Sequence, residues 1–392
     1  MKVHLHRLRK SILLFSLFLL GIVVIPGKAD ASPVILSNES KISILTCDPG
    51  DQLYSLFGHT AIRVEDPSLR IDIVYNYGTF DFTTDGFYLK FARGLLPYQL
   101  ARGHFHAFLD GYKEERRSVY SQTLLLDSIQ RQRLWDLLEE NYLPENRTYL
   151  YNFLYDNCTT RARDILSTCL NGEITWTARG QGKSFWNLLD EYLAVAPWTQ
   201  WGIHTLLGSP AIAEANHWEQ MFLPDYLMHG LEGAFYQQKP LVLPTETLYQ
   251  ETESFYVTPW YLSPLVVFAI GVAVLICLLQ RFRSRKLLKG AAIPFFLITG
   301  GIGCLLIFLG YFTQHPTTAP NFNLVWANPL NLIAVFFLGR KKYPALIRGY
   351  LYLYLCLLAA GFFLWFLFTP AVLYSSMFII VWMFYLTSRL RQ

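Results

Sequence analysis

This chain is short of charge. Only 16% of its 392 residues are Asp, Glu, Lys or Arg, while 53% are hydrophobic, a balance too apolar for an ordinary soluble protein. The net charge is only +4, and the basic residues sit largely beside apolar runs. That pattern bears on membrane topology, and no nucleic-acid partner is expected. Metal-binding signatures are missing too. There is no His-Glu-x-x-His run, and His104 and His106, which alternate in a possible strand, have no third ligand spaced to join them. Neither a metal nor a cofactor is expected. No internal repeat or low-complexity segment is present.

The hydrophobic residues are concentrated at the two ends. Residues 1–31 read as a secretory signal: Lys2, His4, Arg7, Arg9 and Lys10 precede the apolar stretch Ile12–Ile25, and Ala29-Asp30-Ala31 forms a cleavage site before Ser32. An uncleaved signal anchor is the alternative. Residues 32–255 read as one exported domain, and 256–392 as membrane, with five apolar spans near 260–280, 291–312, 324–339, 348–368 and 371–388. Basic clusters at Arg281–Lys289, Arg340–Arg348 and Arg389–Arg391 contrast with Thr313–Asn323, which carries no Lys or Arg. The positive-inside rule then puts the N-terminal domain outside and the C-terminus in the cytoplasm. His315, Asn321, Asn323 and Asn328, with Asn331 and Trp326, crowd the outer edge of the third span. They either line a polar cavity facing the exported domain or make ordinary interhelical hydrogen bonds.

Of six cysteines, Cys277, Cys304 and Cys356 lie in apolar spans and read as small hydrophobes. Cys158 and Cys169 cannot pair, because eleven residues of helix hold them roughly 16 Å apart. Cys47–Cys169 is a conceivable bond that would leave Cys158 free. The number in the exported domain is odd, so at least one thiol there is unpaired.

The stretch Tyr151–Leu170 organises the chain. It reads as an extended run into Asp156-Asn157, good helix caps, followed by a helix that Asn171-Gly172 stops. Cys158, Ala162, Ile165, Leu166 and Cys169 make one apolar stripe on that helix. A cysteine at a helix N-terminus meets the positive end of the macrodipole and free N–H groups near Asn157 and Thr159, which favour a thiolate and suit an oxyanion. A buried structural cysteine is the bland alternative. Upstream, Thr60–Val64 and Ile71–Tyr75 read as a hairpin. Pairing Val64 with Ile71 sets Ile62 against Ile73, Arg63 against Asp72 as an ion pair, and His59 against Asn76. That gives a histidine whose tautomer an amide can fix. A capped helix is also expected over Asp127–Tyr142 with Ile129, Leu134, Leu137 and Leu138 inward. Short helices are expected at Phe185–Leu193, Pro210–Met221 and Pro224–Leu231. His204, His217 and His229 read as packed or exposed.

Thiol, imidazole and amide are the parts of an acyl-transfer site. Their order, His59, Asn76, Cys158, is reversed from papain, where the helix bearing cysteine comes first. The chain resembles a circularly permuted papain-like domain of the NlpC/P60 and lecithin–retinol acyltransferase group, an α+β fold. More closely, LFGHTAIRV, VYNYGTFDF, YDNCTTRARD and FLPDYL at 222–227 are similar to the N-terminal periplasmic domain of the Lnb lipoprotein N-acyltransferase family, which also carries a C-terminal membrane bundle. The resemblance implies an inner-membrane acyltransferase with Cys158 as nucleophile and His59 as base. A phospholipid would be the acyl donor and the α-amine of a diacylglyceryl-cysteine lipoprotein the acceptor. The lecithin–retinol group uses a second histidine in the third role, where this sequence offers Asn76. Two rivals remain at this stage: a membrane-anchored NlpC/P60-like cysteine peptidase of the cell wall, and a non-catalytic lipid- or partner-binding protein.

Overall fold

A computed structural model describes residues 34–177, 182–252, 257–368 and 374–391. The expected signal segment 1–31 lies outside the described residues. Residues 36–392 form one compact unit.

Its N-terminal part is built on a seven-stranded antiparallel sheet. In chain order the strands are β1 (Lys41–Cys47), β2 (His59–Asp66), β3 (Ile71–Thr79), β4 (Pro97–His104), β5 (Val119–Thr123), β6 (Thr148–Leu150) and β7 (Glu246–Tyr249). Across the sheet they run β7-β5-β1-β2-β3-β4-β6. Strand β1 (KISILTC) is buried along almost its whole length, because helices cover both faces. Even-numbered Ile42, Ile44, Ile62 and Val64 meet Tyr75 and Tyr77 on one face. They pack under helices α3 (Ser128–Tyr142) and α4 (Cys158–Cys169) through Leu134, Leu138, Ala162 and Leu166. Leu45, Ala61 and Val74 face the other way, against Phe105 of helix α2 (Phe105–Glu114). Each fully buried Leu or Ile contributes roughly 1.5–3 kcal/mol, so this two-sided core fixes which residues of β2 and β3 point where. A short helix α1 (Phe87–Ala92) links β3 to β4.

Three local expectations change. The β2–β3 register is displaced by two residues: Val64 pairs with Ile73 and Ile62 with Tyr75. Strand β2 runs on to Asp66, whose buried carboxylate accepts Ser37 N–H and Leu69 N–H and so closes the turn later than the hydrophobic pattern suggested. A shift of two preserves the face of every side chain. Arg63 still pairs with Asp72, Nε to Oδ1 at 2.7 Å, but diagonally. On α3, Ile129 is 79% exposed while Leu134 and Leu138 are buried. Five residues of helix carry Ile129 about 140° round from Leu134, and Trp135 fills the inner face instead. His104 and His106 do not share a strand face, because β4 ends at His104 and α2 begins at Phe105.

Helices α5 (Phe185–Leu193), α6 (Pro197–Leu206) and α7 (Pro224–Glu232) follow. The helix expected over Pro210–Met221 is broken into a 3-10 turn, Ser209–Ile212, and one turn at His217–Gln220, since the intervening chain bridges Ser184 to Glu214. The C-terminal part comprises α8 (Pro264–Phe282), α9 (Arg285–Tyr311), α10 (Leu330–Leu338), α11 (Ala345–Phe368) and α12 (Tyr374–Arg391). Among the described residues three helices are long and apolar enough to cross a membrane: α8, α9 and the 345–363 portion of α11. The expected span at 324–339 is not one helix. A 3-10 turn at Phe322–Val325 and the Asn328-Pro329 break leave only nine helical residues, about 14 Å against a hydrocarbon core of about 30 Å. The fifth, α12, falls short in apolarity over its described residues, ending in Thr387, Ser388, Arg389 and Arg391.

Candidate active site

Cys158 is the first residue of α4, and Asn157 caps that helix. Asn157 Oδ1 accepts from Thr159 N–H at 2.8 Å and Thr160 N–H at 2.9 Å, while Thr160 Oγ1 accepts from Asn157 N–H at 2.8 Å. The Asn157 amide also donates to Phe153 O at 2.8 Å and Phe222 O at 2.9 Å. The 222–227 segment therefore works at a distance in sequence: its Phe222 carbonyl braces the cap that aims Cys158. Thr159 N–H is committed to this cap, so among the described residues the unpartnered N–H at this terminus is that of Cys158 itself. Thr159 instead uses its hydroxyl, 3.1 Å from Thr60 Oγ1, to tie the helix to β2.

His59 opens β2 directly opposite Cys47 of β1. The residue before it, Gly58, has φ +76°, and a Cβ there would lie 2.7 Å from Cys47 O, so only glycine allows this close entrance to the strand. His59 Nε2 lies 2.5 Å from Asn76 Oδ1, leaving Nδ1 for the thiol. Imidazole and thiol lie close enough for each to shift the other's ionisation. Burial opposes ionisation of Cys158, but the facing His59 and hydrogen bonds from His59, Thr60 N–H and the Thr159 hydroxyl outweigh it and hold the thiol at about 7. For His59, burial pulls downward and is exceeded by the Cys158 thiolate and the bond to Asn76, so its pKa is raised. The two groups thus stabilise each other as thiolate and imidazolium.

The other exported thiols lack this setting. Burial pushes Cys47 far above the usual thiol range and Cys169 up to about 11. Both are free thiols, so no Cys47–Cys169 bond is present. Cys169 Sγ donates to Gln130 O at 3.4 Å.

Sequence reasoning missed several groups around Cys158. At Gly78, φ +85°, the hollow a Cβ would enter is bounded by Cys158 Cβ at 3.5 Å, Tyr151 Cε2 at 3.7 Å and Tyr149 Oη at 3.9 Å. Tyr149 is buried with no partner for its hydroxyl, and its ring lies 3.5 Å beneath the Arg161 guanidinium. Burial and the neighbouring Cys158 push this phenol well above its ordinary value, so it keeps its proton and stands as a donor. Tyr151 stacks on Tyr98 with centroids 4.4 Å apart. The alternation Tyr149-x-Tyr151 just before the cysteine helix was the available signal.

The polar cluster expected at the third span is divided in its tasks. Asn321 Nδ2 donates to Thr205 O and Leu206 O, and Asn323 Nδ2 to Thr205 O, closing the C-terminal carbonyls of α6. Asn323 Oδ1 also accepts from Trp326 Nε1 at 2.9 Å. Asn328 caps locally, accepting from Leu330 N–H. Asn331 joins Thr299, Tyr350 and Tyr354 between helices. His315 borders a cleft, and its Nε2 donates to Ala92 O at 3.2 Å. The loop from Thr313 to Asn323 is thus a clasp between the membrane helices and the domain above them. His204 is buried against the Asp190 carboxylate at 2.7 Å, His217 is exposed, and His229 pairs with Glu232. Among the described residues no cluster of three metal-binding side chains occurs.

Fold and site together define a membrane-attached protein whose N-terminal mixed α/β domain carries a thiol, an imidazole and an amide at one end of its sheet. The chain belongs to the Lnb family: the model of the Lnb N-terminal periplasmic domain matches residues 35–191, and that of the Lnb transmembrane domain matches residues 251–392. The first part is accordingly periplasmic and the second is in the membrane. No curated protein and no solved structure matches the chain.

Proposed function

We propose that this chain is a lipoprotein N-acyltransferase working through a Cys158 thioester. What carries the reading is a thiol on the first residue of a helix, its ionisation favoured by an amide-anchored imidazole, in a chain bearing both Lnb domains. A strand pair bearing His59 and Asn76 beside a helix bearing Cys158 also fits a circularly permuted papain-like, NlpC/P60-like arrangement.

In the first half-reaction the Cys158 thiolate attacks an ester carbonyl of a phospholipid. The Cys158 N–H and the Tyr149 hydroxyl, on the hollow beside Gly78, hold the oxyanion. Collapse of the tetrahedral intermediate breaks the ester C–O bond, and the His59 imidazolium gives its proton to the departing lysophospholipid. In the second half the free α-amine of a diacylglyceryl-cysteine lipoprotein attacks the thioester, His59 takes the amine proton, and the amide product leaves Cys158 as thiolate. Asn76 orients the ring throughout and transfers no proton. Two lipid substrates give the membrane part its task, which is to hold the site at the bilayer surface. No cofactor enters either step.

The remaining topology belongs to the same reading: a cleaved signal at 1–31, a periplasmic domain over 32–255, and a five-span membrane domain over 256–392 with a cytoplasmic C-terminus, the third crossing made by the broken segment Phe322–Leu338 as a whole. A reporter after Gln392 is expected inside and a tag at Thr317–Pro320 outside. The chemistry is tested by intact-mass analysis after incubation with phospholipid. A hydroxylamine-labile acyl adduct is expected on Cys158 and absent from Cys158→Ala; acylation elsewhere, or none, overturns the mechanism.

A further inference from the structure

The surface around α1 carries a cluster of exposed aromatic and aliphatic residues. Tyr88 (83%), Leu89, Phe91 and Phe82 are exposed there, although Phe82, Phe87 and Phe91 are in ring contact. Such a face is costly in water, and Lys90 and Arg93 lie on the same segment. Aromatic residues interleaved with cations are the composition of a segment lying in a bilayer interface. The segment is also fastened to the outer end of a membrane helix. Gln314 N–H donates to Arg93 O at 2.9 Å, and His315 bonds Ala92 O. At that helix end Tyr311 and Phe312 are exposed as well, so the apolar surface continues from the helix on to α1.

Behind this lip lies a cleft of about 480 Å³. Leu150, Tyr151 and Asn152 form its periplasmic wall, and Thr313, Gln314 and His315 its membrane-side wall. The lining has no carboxylate, Lys or Arg, but it offers amide, hydroxyl and imidazole groups beside apolar ones. Tyr151 belongs to both this cleft and the hollow at Gly78 that Cys158 borders. Tyr151 is therefore common to the cleft and to the surroundings of the proposed nucleophile.

We propose that α1 and Phe82 lie in the headgroup layer of the outer leaflet, and that the cleft behind them receives the glycerol-ester region of a phospholipid and delivers its ester carbonyl past Tyr151 to Cys158. The inference rests on the acyltransferase reading for the chemistry, and adds where the donor is held. Neutral hydrogen-bonding groups suit the esters, a volume of this size suits a glycerol backbone with the first chain carbons, and Lys90 and Arg93 stand at the rim where a phosphate would pass.

The test uses the full chain in vesicles of phosphatidylethanolamine and phosphatidylglycerol. Gln314→Trp and Leu150→Trp fill the cleft without touching Cys158, His59, Asn76 or Tyr149. Each is expected to slow acylation of Cys158 by bilayer phospholipid roughly tenfold or more, while acylation by a soluble short-chain p-nitrophenyl ester stays within about threefold. Tyr88→Ser with Phe91→Ser should act in the same direction. Rates with the two donors that fall together, or that both stay unchanged, overturn the proposal. A second measurement needs no turnover: in full-length Cys158→Ala, a phospholipid with a diazirine on its acyl chain should leave photoadducts within 82–91 and 310–319. Adducts confined to the middles of the membrane helices overturn it. If the wild-type protein forms no thioester with either donor, the acyltransferase reading fails, and the photoadducts still decide the cleft.

Discussion

Nε2 of His59 sits 2.5 Å from Oδ1 of Asn76, reached diagonally across the β2–β3 ladder. An amide oxygen can only accept, so the bond places the ring proton on Nε2 and turns Nδ1 toward the thiol. Asn76→Ala should therefore be slow but measurable in thioester formation. Cys158→Ala and His59→Ala should be near background, since removal of a general base costs about 10²–10⁴-fold. Asn76→Asp should retain more than Asn76→Ala, because a carboxylate also accepts from the ring. Tyr75 lies on the opposite face, its hydroxyl donating to Glu139, so Tyr75→Phe should lower the melting temperature and leave the rate within a few-fold. A dead Tyr75→Phe beside an active Asn76→Ala would reverse this assignment.

The thiols separate by pH. With Cys158 held at about 7, its alkylation by iodoacetamide should be half-maximal near that pH and fall as the pH drops and the thiolate is protonated. His59→Ala removes the facing imidazolium but not the burial, so the midpoint should move upward, above the ordinary thiol range. Cys47 and Cys169, both raised by burial, should stay unlabelled at neutral pH, and their joint replacement by alanine should leave turnover within a few-fold. Faster labelling at either would identify the wrong nucleophile here.

Tyr149→Phe distinguishes an oxyanion donor from a packing residue. Its hydroxyl has no partner, so the change leaves no broken bond and stability should be unaffected. The rate of thioester formation should fall roughly tenfold to a hundredfold with little change in the apparent affinity for donor. An unchanged rate removes Tyr149 from the mechanism.

Asn323→Ala tests the clasp. The change leaves the buried Trp326 N–H without its partner and removes one of the two amide donors to the Thr205 carbonyl, a loss of about 1–3 kcal/mol. Thermal unfolding in detergent should register it, whereas exposed Gln314→Ala should not.

Much of the site could be read before folding. Asn157 and the Cys158–Cys169 stripe follow from helix periodicity and cap chemistry, which are local. His59 and Asn76 were placed on one face because a strand alternates strictly, and that survived a two-residue error in register. The register itself depended on Asp66 accepting bonds from Ser37, a contact no period reveals. Tyr149 and Gly78 matter through a void shared with a helix eighty residues further on in the latter case, and void shape is a tertiary property. The Asn-rich segment at 321–331 left two readings open for a related reason. Its amides are spent on the carbonyls of α6 and on neighbouring helices, and their cost in an apolar setting was visible while their partners were not.

Trp186 and Ala211, from the periplasmic half, are buried in the same cluster as Phe296, Trp326, Leu351 and Trp382 of the membrane half. The boundary drawn by sequence therefore does not coincide with a seam in the core, and this limits how relatives can exchange parts. A chimera that joins one protein's periplasmic domain to another's helices should fold only if residues 183–211 and 313–331 come from the same parent.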